Sequence, residues 1–283
     1  MLARRVGALV LLAGGLGLLV WLGTVAAGSI GGKKSPPPPL QPQPLRIVFP
    51  EGFTRAQMAE RITAVDEIAK QKRGLTPFLS AQDYLAETAS SPLPGTFAGD
   101  GKERPLEGFL FPATYDFTAK TTSRQLVSNQ LVTFRRNWKK VDLRYARSRN
   151  LTRYDVLIIA SMIEREVRAP SERPLVAAVI YNRLHARMHL SIDATLRYGL
   201  HIPPARPITK KELASPNPYN TTTHYSLPPT PIANPGLASI RAAAHPAPVG
   251  YLFFVRKPDK IHHFFTASLD AFNAYIAAHP VVG

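Results

Sequence analysis

Two carboxylates, Glu164 and Glu166, stand at the end of an apolar segment running from Asp155 to Val167. A carboxyl held against apolar neighbours loses hydration of its charged form, so it keeps its proton to higher pH and can act as a general acid. On a helical wheel at about 100° per residue from Met162, the apolar arc holds Ile158, Met162, Ile159, Ile163, Val156 and Val167 and centres at about 60°. Glu166 falls at about 40°, inside the arc, whereas Glu164 falls at about 200°, with Leu157 and Ser161. The pattern predicts that only Glu166 is aimed at the core. The same spacing also fits a helix whose last turn frays, leaving Glu166 in solvent beside Arg165 or Arg168.

Other polar groupings are less specific. His185, His189 and Asp193 stand at i, i+4 and i+8, which a continuous helix would stack on one face as metal ligands. Met188–Ile192 reads as a strand instead, so no metal site is expected. Tyr219, Asn220 and Thr221 lie in a Pro-flanked loop, where Asn220 reads as a turn former. The chain has no cysteine, which excludes a disulfide scaffold, a thiolate zinc site and a cysteine nucleophile.

The elements that must carry these groups are readable in part. Leu45–Phe49 reads as a strand, turned by Pro50-Glu51-Gly52. Thr54 caps a helix with Met58, Ile62 and Val65 on its apolar side. A short helix is expected around Asp83–Glu87, and the Ser-, Pro- and Gly-rich stretch Ser90–Gly101 reads as a subdomain boundary. Helices are predicted over 123–138, with Leu126, Val127, Leu131 and Phe134 on one face, over 152–168, and over 171–186 with Ser171 as N-cap. Pro228, Pro229 and Pro231 rule out regular elements around them. Strands are predicted at Tyr251–Val255 and His262–Thr266, and a helix at Ser268–Ala278. Segregated helices and strands predict an α+β fold.

The chain has 283 residues, 45% of them hydrophobic, enough for one sizeable core and a smaller subdomain. Its formal net charge of +16 favours anionic surroundings: nucleic acid, acidic lipid or acidic wall polymers. Nucleic acid is not expected as a partner, because no basic run with interleaved aromatics is present. Residues 6–27 carry no charge and span about 30 Å as a helix, the thickness of a bilayer core. They are expected to form a transmembrane helix behind a cytoplasmic tail of residues 1–5. A signal peptide cleaved after Val25-Ala26-Ala27 is the competing reading. Residues 28–45, with Pro36 to Pro39, Pro42 and Pro44, read as a semi-rigid stalk.

Several segments together carry a family resemblance: LEGFLFPATY (106–115), IIASMIEREV (158–167), VAAVIYNRL (176–184), MHLSIDATLRYG (188–199), YNTTTHYSLPPTPIANPG (219–236), AAAHP (242–246) and YLFFV (251–255). In these the chain resembles the YceG-like family of membrane-anchored endolytic peptidoglycan lytic transglycosylases. The resemblance implies a catalytic domain over 106–283 and a truncated LysM-like α/β subdomain over 46–105. It implies Glu166 as the catalytic residue, the second acid of an E-x-E pair. Glu107, Asp193, Thr195, Tyr219, Asn220, Thr221 and His263 match family positions and are expected to touch or position substrate. Ala194 stands where the family has proline, and the family has no histidine at 185 or 189. The resemblance further implies no cofactor, cleavage of the MurNAc–GlcNAc bond of nascent strands to 1,6-anhydro ends, and coupling to peptidoglycan polymerases at the plasma membrane. A membrane-tethered glycan-binding scaffold and a true muramidase are the alternatives.

Overall fold

The computed structural model describes residues 44–89, 94–97 and 103–279. The expected transmembrane helix and nearly all of the stalk lie outside the described residues, and no described helix is long and apolar enough to cross a membrane.

Strand β1 (Leu45–Val48) alternates Leu45 and Ile47 inward with Arg46 and Val48 outward. It pairs antiparallel with β2 (Thr114–Phe117), Ile47 opposite Tyr115. Between them run α1 (Arg55–Arg73), α2 (Ala81–Ala89) and a 3-10 turn at Gly95–Phe97. Thr54 caps α1 as predicted, its hydroxyl accepting from Gln57 N–H while Gln57 reaches back to the Thr54 N–H. The segment expected as a separate subdomain, 46–105, thus shares a sheet with β2 beyond its boundary, and it shares a core as well. Phe97 packs edge-on to Phe109 at 5.0 Å and to Trp138 at 4.8 Å. Tyr84 on α2 donates to Gln130 on α3 (Ser123–Trp138) at 2.9 Å, deep in the interior.

Next come α4 (Arg144–Ser148), α5 (Arg153–Glu166), a 3-10 turn at Pro170–Glu172 and α6 (Arg173–His185). Ser171 is not the N-cap of α6: it lies within the 3-10 turn, and Glu172 occupies the cap without a side-chain bond. Pro174 follows Arg173 in the first turn, where its missing N–H is no loss. Residues 188–192 are irregular rather than a strand, turned by positive φ at Arg187 and Ser191. They lead into α7 (Asp193–Gly199), after which come α8 (Lys210–Leu213) and α9 (Leu237–Ala244). A hairpin of β3 (Phe253–Arg256) and β4 (His263–Thr266) is backed by α10 (Leu269–Ala278), with Phe272 on Phe253 at 5.3 Å and Tyr275 on Phe264 at 4.2 Å. The α+β architecture is therefore as predicted.

Helix α5 is the centre of the fold. Val156 to Ile163 are all buried, on every side of the helix, so α5 has no solvent face along that stretch. The alanine-rich α9 lies against it, where Ala243 and Ala244 let the backbones approach. Gly108 has φ +90°, and a Cβ there would stand 2.6 Å from Pro231, which fixes glycine between α5 and the 228–236 loop.

Candidate active site

The last turn of α5 does not fray. Val167 leaves the helix in an extended conformation with its side chain buried, its N–H still bonded to Ile163 O, and Ala169 is buried behind it. Arg256 of β3 donates to the Glu166 carbonyl at 3.1 Å. The Glu166 side chain thereby stands, half-buried, in the wall of a cleft of about 720 Å³. Burial is the main reason its carboxyl holds its proton above the usual range. Asp193 pushes the same way, while Arg256, Arg165 and the Ala194 N–H oppose. The carboxyl also sits at the negative end of the α5 dipole, which disfavours its ionised form.

Glu164 does not point to solvent, as the wheel placed it. Its carboxylate is nearly enclosed, accepting from Gly236 N–H at 2.9 Å beside Arg173 at 3.7 Å, and it caps α9. The wheel fails here because α5 is buried on all sides, so the arc opposite the apolar stripe is interior as well. Glu164 is thus satisfied by a cap and a cation, and Glu166 is the member of the pair left facing open space.

Four elements build the cleft around it. The first turn of α7 brings Asp193, exposed, and Ala194; β3 brings Phe253, Phe254 and Arg256; β4 brings His263; and α10 brings Phe272. From α6, Asn182 donates to the carbonyls of Val249 and Tyr251, and buried Arg183 donates to those of Leu252, His189 and Leu190. These two side chains hold β3 and the 189–190 segment on either side of the site. His263 is buried; its Nδ1 lies 2.6 Å from Glu172, and its backbone N–H donates to the same carboxylate. With Nδ1 donating to Glu172, Nε2 is the ring atom left for a ligand.

The remaining predicted residues fall into two groups. Thr195 and Thr221 are fully buried and share a hydrogen bond of 3.0 Å, and Thr221 Oγ1 accepts from Ile192 N–H. Asn220 is buried too, donating to Leu213 and Ser215 carbonyls and accepting from Thr222 N–H. All three face protein and shape the loops that present Asp193 and Ala194, so Asn220 is a turn former here. Glu107 and Tyr219 line an adjoining hollow of about 550 Å³, which shares Arg165, Ala194, Arg197 and Pro204 with the Glu166 cleft. Glu107 is fully buried and accepts from Arg55 N–H, Asn234 Nδ2 and Tyr198 O–H, yet burial still pushes its carboxyl up to about 7. His185 lines a separate hollow and His189 stacks on Tyr225 at 3.8 Å, apart from Asp193. Among the described residues no group of three His, Asp or Glu could hold a metal ion.

Sequence reasoning missed Glu172, the phenylalanines as cleft floor and the arginines as its rim. The YLFFV segment signalled the floor, but nothing separates the rim arginines from others in a chain this basic. The fold and the cleft define an α+β protein with a carboxyl, Glu166, held above its usual titration range in an open cleft beside Asp193. The chain belongs to the YceG-like family, whose profile matches residues 34–278. It is 31% identical over 232 residues to the endolytic murein transglycosylase of Bacillus subtilis, covering 81% of this chain and 63% of that protein. It is 28% identical over 257 residues to the protein of that name from Streptococcus pneumoniae, covering 85% and 46%. The chain therefore spans less than two-thirds of these relatives' length. A crystal structure of a YceG-like protein from Listeria monocytogenes superposes with a TM-score of 0.67 at 29% identity, covering 82% of this chain and 76% of that one.

Proposed function

We propose that the protein is an endolytic peptidoglycan lytic transglycosylase with Glu166 as its acid and base. The observation that carries this is a proton-holding carboxyl facing an open cleft, in a chain similar to endolytic murein transglycosylases. Glu166 gives its proton to the departing GlcNAc O4 as the bond to MurNAc C1 breaks. The resulting carboxylate then takes the proton of the MurNAc C6 hydroxyl as that oxygen closes on C1. No water enters, the product end is 1,6-anhydro, and the intramolecular nucleophile gains from proximity. The adjoining hollow beyond Arg165 and Arg197 supports cutting inside a strand, since an endolytic enzyme needs sugars seated on both sides of the bond. His263 Nε2 and Asp193 face the substrate in this reading, and Glu107 and Tyr219 border its flank.

Asp193 in the same cleft favours a second reading, a two-carboxylate muramidase. Mass spectrometry of muropeptides from digested sacculi tests both. We expect 1,6-anhydro ends that disappear with Glu166→Gln; reducing MurNAc ends would overturn the lyase reading. The proposal extends to residues 6–27 as a single-pass anchor in the plasma membrane with the N-terminus cytoplasmic. It also includes a truncated LysM-like subdomain over 46–105 and strand termination beside peptidoglycan polymerases. An intact mass lacking the first 27 residues would exclude the anchor.

A further inference from the structure

Arg165, Arg168, Arg183, Arg197 and Arg256 all line the Glu166 cleft, against only two carboxyls, Glu166 and Asp193. Among the described residues none of the five forms an ion pair. Their hydrogen bonds go to backbone carbonyls: Arg165 to Gly52, Arg168 to Lys260, Arg197 to Pro203 and Arg206, and Arg256 to Glu166, with Arg183 held by the three carbonyls already named. Elsewhere on the molecule arginines find carboxylates, as in Arg46–Asp116, Arg124–Glu87 and Arg144–Asp142. In the cleft, five guanidinium groups gather around two carboxyls and none of them pairs with either.

Arg165 and Arg256 favour the carboxylate that Glu166 becomes, but Arg168 and Arg197 are not among the charges that act on it. Glycosidic cleavage passes through an oxocarbenium-like state, and like charge along the same cleft raises its energy. The arrangement becomes favourable only if the ligand brings negative charge of its own. Arg183 is buried and committed to three carbonyls, but Arg168 and Arg256 are exposed and Arg197 is half-exposed. A guanidinium has five N–H donors in a planar fork matched to a carboxylate, and each of these three spends only one or two.

We propose that Arg168, Arg197 and Arg256 bind the carboxylates of peptide substituents on the glycan, so that the cleft selects strands whose sugars still carry anionic peptides. The inference rests on the glycan-cutting reading above. It is tested with purified peptide-bearing strands, half of them treated with carbodiimide and ammonia to turn peptide carboxyls into carboxamides of nearly the same size. Full-length protein should cut untreated strands with a kcat/KM roughly tenfold higher, the difference lying in KM, as expected of a few solvent-exposed charge pairs. Arg168→Gln, at an exposed position, should lose rate on untreated strands and little on amidated ones. Equal rates on both strands would overturn the inference and leave the glycan-cutting reading standing. An equal loss on both with Arg168→Gln would also overturn it, by making that arginine structural. No cutting of either strand would remove the reading and the inference together.

Discussion

Glu166 and Glu164 lie two residues apart on one helix and have opposite fates, and the difference lies in what meets each carboxyl. Glu164 meets a helix N-terminus and Arg173, whereas Glu166 meets the cleft, Asp193 and more distant arginines. A raised pKa keeps Glu166 protonated above the usual carboxyl range, so cleavage should fall as pH rises through its titration. Asp193→Asn removes a like charge and should move this alkaline limb to lower pH, while Arg256→Gln removes an opposing charge and should move it up. Rate–pH profiles of the three proteins check both directions; coincident limbs would mean that another group titrates. The sequence marked Glu166 but misplaced Glu164, because a wheel supposes that one side of the helix meets water. Thr195, Thr221 and Asn220 were marked by resemblance alone, which reports that a position matters without saying whether it touches ligand or holds a loop.

At the level of elements, the legible parts were those with local signals. Thr54 begins α1 and Ser268 begins α10 because their hydroxyls satisfy first-turn N–H groups, a feature written in adjacent residues. Helices α7 and α9 were not legible: α7 is short, and α9 follows a glycine N-cap whose N–H is met by the distant Glu164 rather than by a neighbouring side chain. The site depends on a contact that no local pattern shows, the grip of α6 on β3. Replacing Arg183 with Met should leave the carbonyls of Leu252, His189 and Leu190 without that donor in a part-buried setting. We expect a loss of about 2–4 kcal/mol, seen as a lower melting temperature in thermal unfolding. An unchanged melting temperature would show that water replaces the guanidinium.

For the molecule as a whole, Glu107 ties early and late segments together. Its carboxyl receives Arg55 N–H at the start of α1, Tyr198 from α7 and Asn234 from the loop before α9. Its pKa is about 7 in the folded protein against an ordinary 4.5, so the folded state binds the extra proton between those values. Stability from this residue is therefore full below about 4.5 and is lost as pH rises to about 7, on the order of 3 kcal/mol in total. Chemical denaturation across that window should show the decline, and Glu107→Gln should flatten it. A wild-type curve that rises over the same window would contradict the assignment. The Ser90–Gly101 boundary was readable as a change of composition, but composition cannot reveal that Phe97 and β1 reach across it.

The cleft's walls also impose an order in time. Arg256 meets Glu166 across 90 residues, and His263 meets Glu172 across 91. A ribosome releases the acid long before it releases β3, β4 and α10, so an unfinished chain displays Glu166 with no groove to hold a strand. On the proposed function, competence to cut arrives only when synthesis has passed the hairpin, which ties the hazard of cutting wall polymer to completion of the chain.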